Sequence, residues 1–93
     1  MTEHICDNEG RITAYIEYSL VNKQGLLDDN GTYVFVRSLW IWNGIKNGYQ
    51  IMQGFIKKIA NEFPKATHTY WENKKHNGRI KTISRETALK GII

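Results

Sequence analysis

Residues 33–63 constrain this chain more than any other stretch. A dense apolar run, YVFVRSLWIW, passes through a glycine-bearing loop, NGIKNG, into an amphipathic segment, YQIMQGFIKKIANEF. Ile51, Met52, Phe55, Ile56, Ile59, Ala60 and Phe63 recur at spacings of three and four, which predicts a helix with one apolar face. Asn47 is the expected N-cap, and Pro64 closes the helix. A strand that runs into a helix start leaves several amide N–H groups without intrahelical partners at the strand's end. Such a place suits an anion, commonly a phosphate or pyrophosphate.

The flanking segments supply the rest of a sheet. Residues 11–21 alternate, with Ile12, Ala14, Ile16, Tyr18 and Leu20 on one face and Thr13, Tyr15, Glu17 and Ser19 on the other. That is the pattern of a strand with one buried face. Residues 22–31 form a turn region whose Asp-Asn-Gly ending predicts hairpin chemistry. Residues 32–42 carry bulky side chains on both faces, predicting a central strand covered on both sides. Their parity falters at Arg37-Ser38, where a bulge is expected. Residues 66–73 read as a third strand, and residues 74–78 (KKHNG) as a turn into a returning strand over 79–84. Ser84 caps a last short helix, RETALK, that Gly91 stops. Residues 1–10 are polar and read as a loose lead-in.

The expected fold is therefore α/β in the broad sense, more closely α+β, as one domain over residues 1–93. It has a mixed, mostly antiparallel sheet and one principal helix in a right-handed strand–helix–strand crossover, followed by a C-terminal hairpin and a short helix.

Composition narrows the setting. Apolar residues at 41% and charged residues at 24% exclude a disordered chain. The single cysteine, Cys6, excludes an intramolecular disulfide and a cysteine-based metal site. His68 and His76 have no companion ligands, so no metal is expected. The chain has no apolar run of membrane length and no secretory pattern, so a cytoplasmic protein without membrane contact is expected. The net charge of +4 sits wholly in residues 67–93, where Lys74, Lys75, Arg79, Lys81, Arg85 and Lys90 face only Glu72 and Glu86. That imbalance fits either an anionic partner or a solvated surface.

In the order of its elements the chain resembles the core of the GNAT-type N-acetyltransferase superfamily. GRITAYIEYSL is similar to that family's first hairpin arm, TYVFVRSLWIW to its bulged strand, IKNGYQIMQGFIKKIANEFP to its phosphate loop and helix, and THTYWEN to its splayed strand. The resemblance covers roughly residues 10–73. It implies a protein that binds acetyl-coenzyme A and transfers acetyl to an amine on a protein or small molecule. It also implies cofactor contacts from the backbone of Leu39, Trp40, Ile41 and Trp42, and from the loop of Lys46, Asn47, Gly48, Tyr49 and Gln50. Aligning the helix faces sets Lys46 near the family's arginine, with Gln50 and Met52 at its glycines. The family's N-terminal strand and first two helices have no counterpart. So compact a chain would suit a phage or mobile-element genome.

Glu72 is the first candidate base and Glu17 the second, while Tyr70 or Tyr49 would protonate the departing thiolate. The carboxylates are also readable as solvated strand residues, the tyrosines as packing, and the loop as an ordinary strand-to-helix turn. A non-catalytic protein on the same scaffold, acting through protein contacts or as a homodimer, is a second reading. A third is nucleic-acid binding, with Trp40, Trp42 and Trp71 for stacking and Lys74, Lys75, Arg79 and Lys81 for phosphates. Against it, Trp40 and Trp42 lie in the most apolar strand, where core packing is expected.

Overall fold

The fold is seen in a computed structural model, which describes residues 1–73 and 77–91. These form a five-stranded sheet whose spatial order follows the chain: β1 (Thr2–Cys6), β2 (Ile12–Val21), β3 (Tyr33–Ile41), β4 (His68–Asn73) and β5 (Arg79–Ser84). Helix α1 (Gly48–Glu62) connects β3 to β4, and this pair is parallel, as a crossover requires. The other neighbours are antiparallel. Helix α2 (Arg85–Leu89) follows β5, with the Ser84 hydroxyl accepting the Thr87 N–H at 3.2 Å.

Strand β1 replaces the expected lead-in. Its side chains are mostly exposed, so hydrophobic alternation had nothing to register. Backbone pairing with β2 holds it, from Thr2 opposite Glu17 to Cys6 opposite Ile12. The terminal ammonium also donates to the Tyr18 carbonyl at 2.9 Å, and Lys58 Nζ meets Glu3 Oε2 at 2.9 Å. In the β1–β2 turn, Asp7 accepts the Glu9 and Arg11 amides and Arg11 Nε at 2.9, 3.0 and 2.9 Å. These bonds, that of the Arg11 amide foremost, keep its carboxyl below the ordinary pKa.

Cross-strand partners share a face of a sheet. Ala14 with Ile41, Ile16 with Leu39, Tyr18 with Val36, and Val34 with Thr69 and Ile83 therefore line one side. Against it α1 packs Phe55, Ile56, Ile59 and Ala60, the face its periodicity predicted. Contrary to expectation, β3 is covered on that side only. Its other side joins an open aromatic face: Tyr15 stacks on Trp40 (5.9 Å), Phe35 on Tyr70 (5.0 Å) and Tyr33 on His68 (5.6 Å). These ring pairs explain why β3 is bulky on both faces without being buried on both.

Two turns differ in how far sequence located them. The β4–β5 turn places Asn77 at φ 57° and Gly78 at φ 74°, the left-handed pair that Asn-Gly supplies. Lys74, Lys75 and His76 lie outside the described residues. The β2–β3 loop contains the turn expected at Asp-Asn-Gly, with Asp28 accepting the Asn30 and Gly31 amides at 2.9 Å, but the reversal begins earlier, at Asn22. Asn22 Oδ1 accepts the Gln24 and Leu26 amides at 2.9 and 3.1 Å, and Gly25 takes φ 80°.

Candidate functional site

The site begins with one extra residue. Register between β2 and β3 passes from Glu17 opposite Ser38 to Tyr18 opposite Val36, which leaves Arg37 unpaired. This is the bulge the broken parity predicted. Pairing between β3 and β4 runs from Tyr33 opposite His68 to Val36 opposite Trp71 and stops there, one residue short of the bulge. Beyond it β4 continues paired only with β5, and β3 only with β2. The ladder between the two parallel strands ends there, two residues before β4 itself ends, which leaves a gap in the pairing beside Arg37–Ile41.

The amide directions in that gap follow from alternation. Trp42 N–H donates to the Thr13 carbonyl at 2.8 Å, toward β2. Successive amides of a strand point to opposite edges, so Trp40 N–H also faces β2, while Leu39 and Ile41 N–H face the edge that β4 has left. Of the four backbone donors expected here, Leu39 and Ile41 point into the gap, whereas Trp40 and Trp42 do not. The indoles of Trp40 and Trp42 are 41% and 53% exposed, the reverse of core packing. Polar neighbours and the sheet's uncovered side outweigh their hydrophobicity.

Helix α1 starts at the same end of the sheet. A Cβ built on Gly48 would lie 3.5 Å from Ile41 Cγ2, so the helix start rests on the end of β3. Asn47 is the N-cap residue at φ −110° and ψ 35°, but its side chain makes no capping bond. Its carbonyl accepts the Ile51 amide at 3.1 Å. No acidic residue occurs between Gly31 and Asn61, so the first turn faces no carboxylate of its own segment. Lys46 and Gln50 are exposed, Tyr49 is 56% exposed, and Met52 is half-buried. Lys46 makes no ion pair among the described residues.

The candidate acid–base residues separate. Tyr70 lies on the open face with its ring against Phe35, and its hydroxyl comes within 3.8 Å of a Cβ position at Gly25. That loop is at the opposite end of β3 from the gap, so the Tyr70 hydroxyl is turned away from it. Glu72 is exposed on the open face near the β4–β5 turn, its Oε1 2.8 Å from a Cβ position at Gly78. Glu17, also on the open face, stands directly opposite Ser38 at the bulge and is half-buried. Its carboxylate has no hydrogen-bond or ion-pair partner among the described residues. Glu17 thus stands beside the bulge across β3, while Glu72 follows Trp71, the last β4 residue paired with β3.

Residues 79–81 were read as cations for nucleic acid, yet their register carries further meaning. Lys81 pairs with Trp71 and Arg79 with Asn73, on the same side of the sheet as Ile83 and α1. The period-two spacing Arg79, Lys81, Ile83 was the signal in the sequence. Among the described residues, no helix is long and apolar enough to cross a membrane. Compared with known proteins, the chain matches no family model and no curated sequence.

Proposed function

We propose that this protein binds acetyl-coenzyme A between β3 and β4 and transfers the acetyl group to an amine of a protein or small molecule. One observation carries the reading: β3–β4 pairing ends one residue before the Arg37 bulge, and beyond it the Leu39 and Ile41 amides face the edge that β4 does not pair. An extended pantetheine arm carries amides that can pair with such an edge as a strand would. The uncapped start of α1 and Lys46 lie at the mouth, where a diphosphate would meet N–H groups and a cation. The donors present therefore fit the ligand, although Gln50 and Met52 stand where the acetyltransferase pattern has glycines.

Acetyl transfer forms a C–N bond and breaks the thioester C–S bond, with the sulfur leaving as thiolate. Backbone N–H groups at the bulge would stabilise the oxyanion between these events. The amine must shed a proton, and Glu17, facing the bulge from the open side, is the base we assign, with Glu72 as the alternative.

Titration calorimetry with acetyl-coenzyme A tests the reading. Saturable binding below millimolar ligand is the expected result, and no heat at millimolar ligand would overturn it. Leu39→Pro removes an amide that β2 does not use, so it should abolish binding while the urea midpoint stays near that of the parent.

A further inference from the structure

We infer that Arg79 and Lys81 hold the phosphate groups of the ligand's nucleotide end, making strand β5 part of the binding site. The inference rests on the acetyl-coenzyme A reading and adds a second anchor to it. Asn73, Arg79, Ile80 and Lys81 line an open concavity of about 260 Å³ at the outer edge of the sheet. Strand β5 runs antiparallel to β4, so Arg79 sits at the end of the sheet where β3–β4 pairing has ended and α1 begins.

Pairing with Trp71 and Asn73 sets Lys81 and Arg79 on the α1 side. Glu72, the nearest acid in sequence, falls on the other side. Neither the guanidinium of Arg79 nor the ammonium of Lys81 has an ion-pair or hydrogen-bond partner among the described residues. Arg79 presents a planar fork of donors matched to phosphate oxygens, and Lys81 a compact point charge. Lys46, in the loop before α1, adds a third cation at this end of the sheet, while Glu72 is the acid there, on the open face with its carboxylate beside Gly78.

The concavity is lined by two cations, one amide and one aliphatic side chain, and by no aromatic ring on which a base could stack. Trp71, on the same side as Lys81, packs against the core, and the aromatic stacks lie on the opposite face. A nucleotide is therefore favoured over nucleic acid.

The test compares the parent protein with Arg79→Gln/Lys81→Gln against three ligands: acetyl-coenzyme A, the phosphate-free thioester acetyl-pantetheine, and adenosine 3′,5′-bisphosphate. Expected is a loss of about tenfold or more in acetyl-coenzyme A affinity, with a shallower salt dependence and unchanged acetyl-pantetheine binding. Equal acetyl-coenzyme A affinity in parent and variant overturns the inference and leaves the slot reading intact. Binding of the bisphosphate by the parent but not the variant, without any acetyl-pantetheine binding, keeps the phosphate anchor and removes the slot. A single-stranded oligonucleotide bound more tightly than the bisphosphate, and lost in the variant, overturns the nucleotide assignment.

Discussion

Removing one hydroxyl tests how the principal helix is tied to the sheet. Tyr18, 1% exposed on β2, donates its phenolic O–H to Glu62 Oε2 at 3.1 Å, in the last turn of α1, and its ring meets Phe63 edge-on at 6.1 Å. Tyr18→Phe keeps the ring and opens no cavity, so the loss is confined to what the hydroxyl makes, chiefly the Glu62 bond and after it a weaker interaction with Glu3. A bond to a charged acceptor contributes roughly 1.5–3 kcal/mol, but Glu62 is exposed and regains water when the hydroxyl goes, which sets the net loss near 1 kcal/mol. For a domain of this size that lowers Tm by about 4–8 °C.

A pH series separates this bond from a packing change. Burial, and after it the Glu62 charge, push the Tyr18 phenol above its ordinary pKa of 10.0. Below that value folded and unfolded chains both keep the proton, and the contribution is fully present. Above it the unfolded chain ionises first, the native state binds more protons, and stability falls as pH rises toward the folded pKa. The gap between parent and Tyr18→Phe in urea unfolding should therefore be constant from pH 7 to 9 and shrink from about pH 10 upward. Equal stability at pH 7, or a gap that does not change between pH 9 and 11, would refute the coupling of β2 to α1 through this pair.

Two glycines give opposite outcomes. Gly31→Ala would drive a methyl into the Val21 carbonyl oxygen and within 2.9 Å of the Asp28 oxygen, so the urea midpoint should fall by an amount equivalent to about 1–3 kcal/mol. Gly54→Ala should instead stabilise by about 0.8–1 kcal/mol in the same assay, because Gly54 is an exposed mid-helix residue with nothing within 4 Å of its Cβ position. A destabilised Gly54→Ala would show an unrecognised contact on that face of α1.

What sequence disclosed, and what it hid, follows from where each signal originates. The helix face from Ile51 to Phe63 was legible because seven apolar residues obey one period, and the bulge was legible because a parity break has few other causes. The Asn77-Gly78 turn was legible because left-handed backbone demands those residues. Strand β1 was not, since an exposed edge strand is held by backbone pairing that leaves no side-chain pattern. The exposure of Trp40 and Trp42 was hidden for a related reason. Hydrophobicity says that a side chain gains from burial, but only the count of layers says whether a cover exists, and here both helices pack together on one side. Amide directions at Leu39 and Ile41 needed a register, which no single strand's composition contains.

The bulge couples the core to the candidate site. After Arg37 the parity of β3 is reset, so Leu39 and Ile41 continue the α1 side that Val34 and Val36 began. Without the inserted residue, Ser38 and Trp40 would take those places, and Ile41, which packs against the core beside Gly48 at the helix start, would turn to the open face. The same insertion adds local twist, and β3 pairing with β4 ceases one residue before it. Packing and the opening are thus two consequences of one backbone irregularity. The insertion that keeps Ile41 on the core side of β3 also sets the Leu39 and Ile41 amides toward the edge that β4 does not pair, at the end of the sheet where α1 begins.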